Sequence, residues 1–238
     1  MWTIFLLFLI PFALSCPRWW RLFTIQRWRT ALALDTHFTA FQLLFADMNG
    51  FALSRQARSK RDAMEYVYGE IDFISFIALL SLVKPGSDTV FYDLGCGTGK
   101  AVFACAMVFN VQKSCGIELF NELYSAALQQ QRRLYHLTSV PSNPTADYLV
   151  KAKTIHFIHD NFLHADFNDA TLIFINAAGF FGPTWQALNQ RLEQITTRVT
   201  VITTSKKLTS TAFTMIKMTQ VQMSWGVVNA YIHQINTE

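Results

Sequence analysis

Seven residues after a short apolar run, Asp93-Leu94-Gly95-Cys96-Gly97-Thr98-Gly99, constrain this chain more than any other feature. Thr89 to Leu94 reads as a buried strand, and glycines at alternate positions after it predict a tight strand-to-helix turn where backbone approaches a ligand closely. The next helix runs through Val102, Phe103, Ala106, Val108 and Phe109. Strand and helix then alternate. Strands are expected at 114–118, 154–158, 171–175 and 198–203, with helices over Asn121 to Tyr135 and from Pro183 to Ile195. Two closing strand-like runs, Phe213–Met223 and Val227–Ile235, lack a helix-length connection, so they form an antiparallel pair at the sheet edge. The pattern predicts an α/β fold, a doubly wound, Rossmann-like sheet of seven strands, with the ligand at the strand C-termini.

Three nucleotide loops compete for the glycines. A phosphate-binding P-loop fails, because Leu94 stands at its first glycine and Ala101 where a hydroxyl must meet magnesium. A dinucleotide fingerprint fails because Lys100 occupies its third glycine. Asp-x-Gly-x-Gly-x-Gly remains, and it suits a ligand with no phosphates. S-adenosyl-L-methionine carries an ammonium for Asp93 and a carboxylate for loop N–H groups. Gly95, Gly97 and Gly99 let the backbone close on it. Glu118, at the end of the second strand, is placed for both ribose hydroxyls, although an acid there also suits the start of the following helix. Asn161 and Phe162, after the third strand, are candidates to read the adenine amino group and stack on its ring, or else form a plain turn.

Beyond the loop, Val67-Tyr68-Gly69-Glu70-Ile71-Asp72-Phe73, Gly116-Ile117-Glu118, Asn161-Phe162-Leu163, Phe174-Ile175-Asn176 with Phe180-Phe181-Gly182-Pro183, Ser224-Trp225 and Tyr231-Ile232-His233 follow in order. Together they resemble the non-SET histone-lysine methyltransferases, the family named for disruption of telomeric silencing, over roughly residues 66–235. The resemblance implies a class I S-adenosylmethionine-dependent methyltransferase domain. Tyr68 and Glu70 would lie on a loop closing over the cofactor, and Asn176 would orient the amine or the cofactor. Asn161 replaces the family's acid, Ala230 replaces the first of two adjacent tyrosines, and the family's basic nucleosome-binding extensions are missing.

The acceptor half is read as an aromatic channel. A lysine nucleophile must be neutral, and apolar surroundings lower its pKa. Phe180, Phe181, Trp185, Trp225 and Tyr231 are candidates to supply them, with core packing as the alternative for each. Asn176, Phe181, Trp225 and Tyr231 form the candidate catalytic set, and no metal is expected. The expected activity is methyl transfer to a protein lysine, with a lipid or small molecule as the alternative acceptor and an inactive scaffold as a third possibility.

The amino terminus reads differently. Residues 1–14 are almost wholly apolar and are followed by Arg18-Trp19-Trp20-Arg21. This predicts a membrane-anchor-like segment over 1–21 and a transmembrane helix if the bilayer thins around it; a buried capping helix is the alternative. A helical, basic and aromatic extension is expected over 22–66, then the catalytic domain over 67–238. Residues 1–61 carry eight basic and two acidic side chains, a net +6, against −2 for the rest. By the positive-inside rule the catalytic domain faces the cytosol, anchored at the cytoplasmic face of a membrane. The partners expected are that membrane and a protein with an accessible lysine, with no direct nucleic-acid binding indicated. Cys16, Cys96, Cys105 and Cys115 have no metal or disulfide spacing and are read as reduced thiols. Gly97→Arg and Glu118→Ala are each expected to abolish cofactor binding; unchanged calorimetric affinity in both would contradict the assignment.

Overall fold

The computed structural model describes residues 19–59, 68–138 and 151–236. One mixed sheet carries β1 (Val90–Leu94), β2 (Lys113–Glu118), β3 (Ile155–His159), β4 (Leu172–Asn176), β5 (Thr200–Thr204), β6 (Phe213–Met223) and β7 (Gly226–Ile235). Their order is β3-β2-β1-β4-β5-β7-β6. The first five strands are parallel, and β7 runs antiparallel to both β5 and β6. The chain winds outward from β1 to β3, then returns to place β4 on the other side of β1. That reversal opens a crevice above the C-terminal ends of β1 and β4, where ligands of such sheets bind.

The helices are α1 (19–31), α2 (Leu34–Phe45), α3 (Gly50–Arg58), α4 (Phe73–Ser81), α5 (Lys100–Val108), α6 (Asn121–Thr138) and α7 (Gly182–Glu193). Period-2 alternation divides each central strand between two cores. Phe91, Phe174 and Ile202 enter the core shared with α4 and α5, while Tyr92, Ile173 and Val201 enter the one capped by Trp185, Leu188 and Leu192 of α7. Phe76 sits edge-on to Phe91 and Phe174, with centroids 6.2 and 5.1 Å away. Covering on both faces explains why β1 is buried throughout.

The N-terminal helical run breaks twice. Ala33 takes a left-handed conformation (φ 46°) and separates α1 from α2, a break that periodicity does not signal. Asn49, whose side chain accepts from the Ala52 N–H at 3.0 Å, caps α3. Leu34, Leu44 and Phe45 of α2 join the α4–α5 core, where Phe45 meets Phe103 edge-on at 5.4 Å.

Residues 68–72 form a strap tied to the far end of β6. Ile71 bridges Met223, Asp72 N–H donates to the Gln222 carbonyl (2.9 Å), and Ser224 N–H donates to the Glu70 carbonyl (2.8 Å). The strap leads directly into α4, because Asp72 is its N-cap and accepts from the Ser75 N–H at 2.8 Å.

Among the described residues, no helix is long and apolar enough to cross a membrane. The described part of this helical run, 19–31, carries Arg21, Arg27 and Arg29. The transmembrane helix and the location at a cytoplasmic membrane face are therefore withdrawn. The apolar run, Cys16 and Arg18 lie outside the described residues, as does Val67. Cys96, Cys105 and Cys115 are free and buried.

Removing the cap at the strap's end tests its weight. Asp72→Ala should lower unfolding free energy by about 1 kcal/mol, measured by urea denaturation.

Candidate active site

A cavity lies at the C-terminal ends of β1, β2 and β4. The loop after β1 forms its floor, because Gly95, Gly97 and Gly99 all take positive φ (83°, 56° and 82°). Gly97 is the most demanding of them. A Cβ there would lie 2.5 Å from the Tyr68 ring, in a backbone conformation that L side chains rarely adopt. Gly95 and Cys96 donate their N–H groups to the Ile117 carbonyl at 2.9 and 3.1 Å, which docks the loop onto β2.

Glu118 joins this loop to the next. Its Oε2 accepts from Gly97 N–H (2.8 Å) and its Oε1 from Phe120 N–H (2.9 Å). Each oxygen retains a second lone pair, which suits a vicinal diol. Burial raises the Glu118 pKa above the usual carboxylate range, against these N–H donors. Asp93 is 4% exposed beneath the loop. Burial, and then the neighbouring Glu118, push its pKa up to about 8. A buried acid in that state is recharged by an incoming cation. Two buried carboxyls beneath a backbone without room for side chains thus fit the ammonium and ribose of S-adenosylmethionine.

The strap walls the opposite side. Tyr68 donates to Glu70 Oε1 at 2.7 Å, so Thr98, 3.1 Å away, is the donor to Tyr68. Lys100 donates to Glu70 Oε2 at 2.6 Å. Desolvation, then the Glu70 charge, raise the Tyr68 pKa well above its ordinary value and keep the hydroxyl protonated. Asn176, at the end of β4, donates its amide to the Gly69 carbonyl (3.1 Å) and accepts from Thr204 (2.9 Å), so its side chain is fixed from both sides.

The cavity brings together Tyr68, Glu70, Asp93, Gly95, Gly97, Glu118, Asn161, Phe162 and Asn176. Gly99 stands behind them as the N-cap of α5, against Phe157. Asn161 accepts from Leu163 N–H at 2.9 Å, and Phe162 meets Phe180 edge-on at 5.0 Å. The candidate catalytic residues are more dispersed. Phe180 lines the cavity, while Phe181 stands outside its lining, 49% exposed. Trp225 packs against Gly69, whose absent Cβ would fall 1.8 Å from the edge of its ring. Tyr231 is on β7 opposite Thr203, away from the cavity lining. Trp185 is core, buried in the α7 layer, so packing is the reading that holds for it. Sequence reasoning missed Thr98, Lys100 and Thr204, polar partners whose only signal is proximity to the motifs in the fold.

A family model described as "Histone methylation protein DOT1" matches residues 53–234, more than half of the chain. A protein-lysine N-methyltransferase of Saccharolobus islandicus (strain REY15A) is 40% identical over 50 residues, 21% of this chain. The match spans 31% of that relative's length. Among solved structures, an RNA methyltransferase from Salinibacter ruber, in complex with S-adenosyl-L-homocysteine, superimposes with a TM-score of 0.51 at 18% identity, covering 68% of this chain and 91% of its own. A geranyl diphosphate methyltransferase superimposes with a TM-score of 0.50 at 10% identity, covering 69% of this chain and 78% of its own. At such identities the likeness shows the fold.

The Asp93 pKa sets a pH test. Below about 8 the free protein holds Asp93 protonated, and an ammonium ligand favours its ionised form. Binding of S-adenosylhomocysteine should therefore release a proton and tighten as pH rises toward about 8. Calorimetry in buffers of different ionisation enthalpy should detect that proton for the wild type and not for Asp93→Asn.

Proposed function

We propose that this chain, which belongs to the DOT1 family of histone methylation proteins and is an S-adenosylmethionine-dependent methyltransferase, methylates the side-chain amine of a protein lysine. When bound, S-adenosylmethionine would supply a sulfonium-activated methyl group; transfer to the lone pair of a neutral amine would break the carbon–sulfur bond, leaving a thioether and releasing the amine proton to solvent.

The chain's own residues divide that work. Asp93 would meet the ammonium of the cofactor's methionine part, and Glu118, which holds two backbone N–H groups in place, would accept from its ribose hydroxyls. Asn161 and Phe162 border the adenine end. The strap, pinned by Tyr68, Glu70 and Lys100, excludes water from the opposite wall.

One observation carries the acceptor assignment: Asn176, clamped by Gly69 and Thr204, shares the cavity wall with the aromatic ring of Phe180. That pairing offers an orienting amide beside an apolar surface, and an apolar surface disfavours a charged amine. Alignment and desolvation then suffice without a general base. Phe181, half exposed and next to the cavity-lining Phe180, would flank the approach of a side chain extended from a protein surface.

Lysates incubated with methyl-labelled S-adenosylmethionine and the purified full chain should carry label in methylated lysine after acid hydrolysis. Label in RNA or in the organic extract instead would overturn this reading. Asn176→Ala should lower kcat by roughly 100-fold, the scale expected for loss of alignment, with cofactor affinity changed far less.

A further inference from the structure

Outside the cavity, an amine already rests on the aromatic rim. Lys206 follows β5 at the same sheet edge as Asn176, and its Nζ lies 3.4 Å from the centroid of the Phe181 ring. The same ammonium donates to the Phe180 carbonyl. Ring face and carbonyl together are the two neutral partners that an ammonium prefers when no carboxylate is at hand. Among the described residues no carboxylate pairs with Lys206.

The backbone aims this side chain. Ser205, immediately before it, takes φ 66°, a left-handed conformation that is uncommon for a non-glycine residue. Three hydrogen bonds hold the turn. Ser205 N–H donates to the Asn229 carbonyl (2.8 Å), Lys206 N–H to the Thr204 carbonyl (2.8 Å), and the Thr203 hydroxyl to the Lys206 carbonyl (2.5 Å). Thr204 is also the residue that clamps Asn176, so the turn and the cavity share an anchor. A flexible, hydrated side chain is thus directed onto a ring that is half exposed and next in sequence to a cavity-lining phenylalanine.

We propose that the Phe181 ring and the Phe180 carbonyl form a subsite for a primary ammonium, that Lys206 occupies it in the resting protein, and that the acceptor lysine displaces Lys206 on its way to the cavity. The proposal rests on the lysine-acceptor reading for its physiological ligand, while the subsite itself is defined by the geometry of the rim. An internal occupant lowers apparent affinity by the fraction of time the subsite is free, so removing it strengthens binding by that factor.

The test uses n-butylammonium, a minimal lysine side chain, titrated into the full chain with S-adenosylhomocysteine present and ionic strength fixed. Saturation-transfer NMR should show Lys206→Met binding it about tenfold more tightly than wild type, as expected if the subsite is occupied about nine-tenths of the time. Lys206→Arg, which keeps a cation over the ring, should stay near wild type, and adding Phe181→Leu to Lys206→Met should abolish the gain. Equal affinity in wild type and Lys206→Met would overturn the proposal. In turnover, Lys206→Met should lower the KM for a lysine-bearing protein acceptor by a similar factor. A fall in kcat without a fall in KM would show Lys206 to be a fixed part of the wall and would also overturn it. If the wild type methylates no protein lysine, the acceptor reading fails by itself, and the n-butylammonium titration still decides the subsite.

Discussion

The site depends on one carboxylate. Glu118 ends β2, yet its two oxygens hold the backbone of two different loops, at Gly97 after β1 and at Phe120 before α6. Without it, the turn at Gly97 would have a buried N–H lacking its acceptor, and the floor of the cavity would lose its registration against β2. The sheet supplies the positions, but this bridging acid converts two adjacent strand ends into one continuous surface. The strap completes that surface from the other side, where Tyr68 packs into the space that the missing Gly97 side chain leaves open.

Electrostatics explain why the arrangement suits a cationic ligand. Asp93 and Glu118 are buried near each other, and both are displaced upward in pKa. For Asp93 the sign is unfavourable to the free fold. Its native pKa of about 8 exceeds the ordinary carboxylate value, so stability contributed below that ordinary value is lost as pH rises toward about 8. Ligand affinity has the opposite dependence. Strain of this kind concentrates at sites shaped for something other than their own stability.

Much of this was legible in the sequence, and the exceptions have physical causes. Seven strands and the antiparallel closing pair follow from period and connection length. The glycine loop and Glu118 could be read because backbone geometry and chemistry leave few alternatives at those positions, whereas the strap residues are legible only through the family resemblance. Trp185 and Phe180 could not be told apart, since an aromatic residue in an α/β sequence looks the same whether it fills a core or lines a cavity. The left-handed Ala33 was equally silent, because no glycine or proline marks it. The apolar leader reads as an anchor from its hydropathy and its basic, aromatic flank, while among the described residues no helix is long and apolar enough to cross a membrane. Lys206 carries no signal in the sequence, because a lone lysine between strands is ordinary; only the turn at Ser205 gives it a direction.

The strap's tether has a consequence for how the chain matures. Glu70 and Ser224, which hold each other across the cavity's edge, are 154 positions apart. During synthesis, the glycine loop and Glu118 leave the ribosome well before Ser224 does. Loop closure over such a separation comes late in folding. The strap therefore gains its backbone tether only once the C-terminal hairpin has emerged and paired with β5. A nascent chain that stops short of β6 can hold the strap only through Tyr68–Thr98, Glu70–Lys100 and Gly69–Asn176, without its backbone tether.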